Sequence, residues 1–200
     1  MSLGDETSLI IEFLGSTNAF KHAVAQTIEE KLWREVAGTR LSVSQLKLLK
    51  LVSLSGTTTI SDVALFLEIS NAAASKAVDK LVGQSLVRRS EGPKDRRAIH
   101  LSLTGLGRRM LDEYDAAALA KLSEVFGQFS LEELRRATDL LDALSTLIVD
   151  HRARRGEICV QCGIYFRQKC SLKQRLGRRC LYLRSKEQGG GQLSSDGGTR

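Results

Sequence analysis

No run in this 200-residue chain approaches the roughly 18 apolar residues that a membrane-spanning helix needs. The opening segment MSLGDETSLII carries acids where an export signal carries cations, so no leader is expected and the protein is expected in the cytoplasm. A glycine-rich phosphate loop is missing, and so is any nucleophile set beside a recognisable base. The chain therefore reads as a non-enzyme. Histidine is scarce: His22 falls within a helix, His100 on a strand and His151 near a helix end, and each reads as structural rather than as a ligand. Proline occurs once, at Pro93. Cysteine is absent from the first 158 residues and then occurs four times within 22.

A hydrophobic content of 42% is enough for one buried core, and the length suits one domain with an appendage. The net charge of +7 is unevenly spread: residues 1–150 hold 18 Lys and Arg against 20 Asp and Glu, whereas residues 151–200 hold 12 against 3. Basicity is thus a property of the tail, and overall charge says nothing about nucleic acid binding by the main domain.

The informative stretch runs from Ile60 to Gly107. Its pattern predicts a short helix, a tight turn, a second helix capped by Ser70, and two strands at Leu86–Ser90 and Ala98–Leu103. At about 100° per residue, Ala74, Ala77, Val78 and Leu81 share one side of the second helix. Ala72, Ser75, Lys76, Asp79 and Lys80 share the other, with Asn71 at the N-terminal edge. A face that is small near its start and carries donors suits entry into a major groove. Alone, it equally suits an ordinary amphipathic helix. The hairpin tip Glu91-Gly-Pro-Lys94-Asp95-Arg96-Arg97 shifts that balance. It places Lys94, Arg96 and Arg97, with Arg89 on the preceding strand, where cations reach phosphates or a neighbouring minor groove.

With Ser70-Asn71 through Val78-Asp79-Lys80-Leu81, Leu86-Val87-Arg88-Arg89, Asp95-Arg96-Arg97-Ala98, Leu103-Thr104 and Gly107, the chain resembles the MarR family of bacterial winged helix-turn-helix transcription regulators. More loosely, the resemblance extends over residues 8 to 150. It implies a homodimer on a pseudo-palindromic operator in double-stranded DNA and an effector that is a small aromatic molecule. It also implies that Asp79 pairs with a wing arginine, with Asp95 as a second wing-orienting acid. On this reading Asn71, Ala72, Ser75 and Lys76 face the groove, and Arg89, Lys94, Arg96 and Arg97 serve the DNA from the wing. One departure is Ser85, where the family usually has glycine; a residue with a side chain must make that turn.

Residues 7 to 37 predict one long helix, interrupted near Gly15-Ser16, with Ile10, Phe13, Leu14, Phe20, Val24, Ile28, Leu32 and Val36 on its apolar stripe. Ser42 and Gln45 have capping-box spacing ahead of a helix to about Ser53 whose core side is Val43, Leu46, Leu49 and Val52. Thr57–Ile60 is expected as a short strand beside the wing, and Ser61 or Asp62 as the cap of a short helix containing Val63, Ala64 and Leu67. Thr104 is expected to cap a helix to about Phe126 with Leu106, Met110, Tyr114, Ala117, Ala118 and Leu122 on its stripe. Ser130 and Glu133 open a last helix to about Asp150, rich in leucine on a broad face. That helix and the first are the expected dimer surface.

Cys159, Cys162, Cys170 and Cys180 give C-x2-C-x7-C-x9-C, with Gly163 placed to turn the chain after the second. In a cytoplasmic chain, clustered cysteines read as metal ligands rather than disulfides. One zinc ion on four thiolates is the first expectation, an iron–sulfur cluster sensing redox state or iron is the alternative, and a thiol–disulfide switch is a third. Ile158, Val160, Ile164, Tyr165, Phe166 and the leucines that follow supply a small apolar shell, and a bound metal would stabilise a segment too short to fold by burial alone. The tail's many cations could add non-specific DNA contacts.

The expected fold is therefore mainly α, an α+β winged helix. Its DNA-binding and dimerisation domain covers residues 1–150 with the wing at about 86–103. A cysteine-rich metal-binding extension spans 151–186, and a Gly/Ser-rich disordered tail spans 187–200. The expected function is sequence-specific transcription regulation, with repression as the first reading. An electron-transfer or nucleic-acid-modifying enzyme and a dimeric interaction protein without DNA binding are the rivals.

Overall fold

The computed structural model describes residues 3–38, 41–54, 58–91, 99–148, 158–159, 162–167, 170 and 179–180. Helix α1 (Leu3–Val24) runs without a break into a π-helical segment, Ala25–Leu32, and a last α-helical turn, α2 (Trp33–Ala37). Helices α3 (Val43–Leu54), α4 (Ile60–Leu67) and α5 (Asn71–Gly83) follow, then antiparallel strands β1 (Val87–Glu91) and β2 (Ile99–Leu103). Two long helices, α6 (Gly105–Phe126) and α7 (Leu131–Ile148), precede the short parallel pair β3 (Ile158–Cys159) and β4 (Arg179–Cys180).

The interruption expected at Gly15-Ser16 is not there. Nothing lies within 4 Å of a side chain added at Gly15, and an exposed glycine costs a helix only about 1 kcal/mol. The irregularity comes instead at Ala25–Leu32, where Ile28 is buried and its carbonyl accepts from the Tyr114 hydroxyl at 3.3 Å. Tyr114 and Trp33 centre the core. Their rings meet edge to face at 5.6 Å, the Trp33 indole N–H donates to the Ser42 carbonyl at 3.1 Å, and Lys50 sits over the Tyr114 ring. Burial raises the Tyr114 phenol above its ordinary range, with Glu29 and Asp115 adding to the effect.

Helix α3 starts at its capping box, with the Ser42 amide donating to the Gln45 side chain at 2.8 Å. It buries Leu48 and Leu51 as well as Leu46, Leu49 and Val52, so it is enclosed on more than one side. The Thr57–Ile60 strand reduces, among the described residues, to a single bridge: the Leu101 amide donates to the Thr58 carbonyl at 2.8 Å beside the wing. Ile60 is already helical. The cap of α4 is Thr59, not Ser61 or Asp62. The Thr59 hydroxyl accepts from the Asp62 amide while the Asp62 carboxylate accepts from the Thr59 amide. Phe66 rather than Leu67 is the buried residue at the end of α4. On α6, Tyr114 and Ala118 are buried and Met110 and Leu122 pack against the core as expected, whereas Leu106 is exposed and Leu111 is buried in addition.

Helices α1 and α7 stand apart from this core. No described residue of α1 is buried, and of α7 only Thr146 is. Their apolar side chains Leu9, Ile10, Ile11 and Leu14, and Leu140, Leu141, Leu147 and Ile148, face outward. Among the described residues no helix is long and apolar enough to cross a membrane.

Candidate nucleic-acid interface

Helix α4 ends on Glu68 in the left-handed region (φ 56°), and the Ile69 amide donates to the Ala64 carbonyl at 2.9 Å. That reversal leaves room for only Ile69 and Ser70 before α5. The Ser70 hydroxyl accepts from the Ala73 amide at 3.2 Å, which satisfies one of the free N–H groups at the helix start. Ala74, Val78 and Leu81 are buried beneath α5. Asn71, Ala72, Lys76, Asp79 and Lys80 are exposed, and Ser75 is half-buried at the edge of the same face.

The turn into the wing is made by Ser85 at φ 58°. Its amide donates to Val82 and its carbonyl accepts the Thr104 hydroxyl at 2.6 Å, so the strained residue is fixed from both sides. A side chain in this region costs about 1–2 kcal/mol, part of which glycine would return as chain entropy. Ser85→Gly is therefore expected to raise stability by about 0.5–1 kcal/mol, read as a higher urea midpoint at unchanged slope.

Strands β1 and β2 pair Val87 with Leu103 through to Glu91 with Ile99, with Val87, Leu101 and Leu103 buried against the core. Arg89 lies on β1, and its guanidinium meets the Asp79 carboxylate at 2.7 Å. The pair is largely exposed and stabilises the fold by at most about 1 kcal/mol. Its consequence is positional: it ties the wing to α5, so Arg89 is engaged with Asp79. Arg88 donates to the Ser102 hydroxyl at 2.9 Å across the hairpin. The tip residues Lys94, Asp95, Arg96 and Arg97 lie outside the described residues.

The MarR family model matches residues 41–99, the segment that holds α3, α4, α5 and the wing. Over that segment the chain is similar to the MarR family. It is 26% identical over 123 residues to the HTH-type transcriptional repressor MdtR of Bacillus subtilis, covering 62% of this chain and 79% of that protein. Among solved structures, the MarR family transcription regulator SP03579 matches with a TM-score of 0.64 at 21% identity, over 74% of this chain and 95% of that one. Streptococcus pneumoniae FabT, solved in complex with DNA, matches with a TM-score of 0.56 at 20% identity, over 71% of this chain and 96% of that one. At these identities the structural matches establish the winged-helix fold.

A cavity of about 400 Å³ lies at the C-terminal end of α4, lined by Lys21, Ser44, Lys47, Phe66, Leu67, Glu68 and Gly163. Sequence reasoning gave no sign of it, because its walls come from four separate parts of the chain. Of the cysteine segment, Gly163 has φ 56°, the Tyr165 amide donates to the Cys162 carbonyl at 3.1 Å, and β3 pairs Cys159 with Cys180 through the backbone. Cys180 is buried, and Cys162 and Cys170 are half-buried. Among the described residues no three acidic, histidine or cysteine side chains stand together as a ready metal site. Ile164, expected in a separate shell, is buried in the main core.

Proposed function

We propose that this chain is a transcription repressor that binds a pseudo-palindromic operator as a homodimer. The observation that carries the reading is the exposed face of α5 locked to the wing by Asp79 and Arg89. A helix that offers Asn71, Ala72, Ser75 and Lys76 at its open end, beside a hairpin fixed at a set angle, is shaped for a major groove with flanking backbone contacts. Lys94, Arg96 and Arg97 are assigned to phosphates or the adjacent minor groove, and Asp95 to orienting the tip. The similarity to the MarR family, the repressor named among the relatives and the DNA complex of FabT support this reading.

The homodimer is supported by the outward leucines and isoleucines of α1 and α7, which a single chain leaves in water. We place the DNA-binding and dimerisation domain at residues 1–150, the cysteine-rich extension at 151–186 and a tail at 187–200. The cavity beside Lys21 and Lys47 suits a small aromatic anion as effector. The four cysteines are assigned to one metal centre, zinc on four thiolates or an iron–sulfur cluster.

The test is to select duplexes from a random library with the purified protein and titrate the winner by fluorescence anisotropy at several salt concentrations. Lys76→Ala should weaken binding by about 1–3 kcal/mol and relax preference at one base position in each half-site. Arg97→Ala should weaken binding to every duplex and lower the salt slope by about one. Unchanged affinity in both variants would overturn the assignment.

A further inference from the structure

Residues 164–167 follow the winged-helix domain in sequence, yet they dock on four separate parts of it. Ile164 is buried in the main core. The Tyr165 side chain hydrogen-bonds Glu29 on the π-helical segment. The Phe166 ring lies 6.1 Å from that of Phe66, the buried residue at the end of α4. The Arg167 guanidinium donates twice to the Asp142 carboxylate on α7, from Nη2 to Oδ2 at 2.7 Å and from Nη1 to Oδ1. One short run thus touches the core, α4 and the outward-facing helix α7 at once.

The run is presented from a closed loop. The parallel pair β3–β4 joins the chain on either side of it, with Ile158 opposite Arg179 and Cys159 opposite Cys180. Inside that loop Gly163 takes the left-handed conformation, and the Tyr165 amide donates to the Cys162 carbonyl at 3.1 Å. A turn already formed costs less to order when its side chains dock. The contact on α7 is one-sided. Asp142 and Thr146, one turn apart, share the inward face of α7, while Leu140 and Leu147 face outward. Among the described residues the other ion pairs of α7, Glu132 with Arg135 and Arg136, stay within the helix. Arg167 therefore ties α7 to the rest of the chain. Its side chain is 37% exposed and that of Asp142 only 17%, so this two-point pair is held more firmly than a surface pair.

We propose that residues 164–167 are an intrachain strap that fixes α4 relative to α7, and that the strapped chain binds its operator more tightly than the released one. The proposal rests on the DNA-binding reading for its output, but not for the strap itself. The strap runs from the helix whose leucines face outward to the helix that leads into α5. Phe66 is the inner anchor, since it packs against Phe166 on one side and belongs to the core beneath the helix-turn-helix on the other. None of the four contacts lies on the exposed face of α5, so docking leaves the reading side open and acts through orientation. A reading head held at one angle to the dimer helices loses less freedom on entering its groove, and this sets the direction of the effect. Asp142 and Arg167 are positioning residues, acting on α5 through α4.

The experiment uses the full-length protein and three variants: Arg167→Asp, Asp142→Arg and the two together, which exchange the charges of the pair. Amide hydrogen exchange follows the end of α4, with α6 as the internal control. Each single variant should speed exchange of the Phe66, Glu68 and Ile69 amides at least fivefold, although neither substituted residue touches α4, and should leave α6 unchanged. The double variant should return α4 to within twofold of the parent. Affinity for the selected duplex should fall at least fivefold in each single variant and recover in the double one. Asp142→Arg decides between strap and simple charge: it adds positive charge, which alone would tighten binding to DNA, yet it should weaken it. Unchanged α4 exchange in the single variants would overturn the proposal. So would equal acceleration in α6, which marks general destabilisation, or tighter duplex binding by Asp142→Arg. If the parent selects no duplex, the DNA-binding reading fails, and the exchange data alone decide the strap.

Discussion

Gly107→Ala is expected to abolish or nearly abolish stable folding, whereas Gly105→Ala, two residues earlier in the same helix turn, is expected to stabilise the protein. Helix propensity favours alanine at both positions by about 1 kcal/mol. Space decides otherwise at Gly107. A Cβ built there would stand 2.1 Å from the Leu86 carbonyl oxygen and 3.0 Å from its carbon, and both belong to backbone that cannot rotate away. The same carbonyl accepts the Thr104 amide at 3.0 Å, and the Gly107 amide is itself bonded to the Thr104 hydroxyl at 3.1 Å. Moving either partner therefore disrupts the start of α6 and the entry to β1 together. We expect a loss of at least about 3 kcal/mol, beyond ordinary overpacking because the clash is with main chain. At Gly105 the nearest heavy atom is the flexible end of Arg109 at 3.6 Å, an ordinary contact, so about 0.5–1 kcal/mol of the propensity gain should survive. Urea unfolding of the two variants side by side checks both signs; equal midpoints would mean that the approach of α6 to Leu86 is looser than described.

That pair also shows why parts of this molecule were legible in the sequence and others were not. Caps are local chemistry, so Ser42, Ser70, Thr104 and Ser130 each mark their helix starts at the residue expected. Thr59 escaped because Ser61 and Asp62 are equally good capping types, and only the reach of Asp62 back to the Thr59 amide settles the choice. The apolar stripe of α5 was readable because one face is solvated; α3 was read too narrowly because Leu48 and Leu51 are enclosed as well, and periodicity weakens when both sides are buried. Trp33 and Tyr114 come together across 81 positions of sequence, and no local pattern announces that contact. The winged-helix fold rested on helix spacing, turn residues and family resemblance acting together. In the candidate interface, the Asp79–Arg89 pair was expected only from that resemblance. The docking of Ile164 and Phe166 onto the core had no sequence signal at all, since the same apolar residues would equally line a separate metal-binding module.

Replacing Leu140 and Leu147 together by Glu is expected to give a folded monomer with little operator affinity. The two leucines are seven positions apart on α7 and so share one face. They are 52% and 74% exposed in the single chain, so the charges cost its own fold little. In a two-fold dimer each substitution acts twice, removing four buried leucines at about 1.5–3 kcal/mol each. Four carboxylates would also be brought towards one another without partners, a further penalty in a desolvated contact. A loss on this scale moves a nanomolar dimer beyond any working concentration. Each released winged helix would keep its own α5 and wing but grip only one half-site, and the advantage of two linked half-sites would vanish. Sedimentation should therefore show the mass of one chain, with helix content by circular dichroism retained and duplex affinity falling by at least a hundredfold. A variant that still sediments as a dimer would move the interface off this face of α7. A monomer that bound the duplex undiminished would instead remove the need for two reading heads, and with it the reason for a palindromic site.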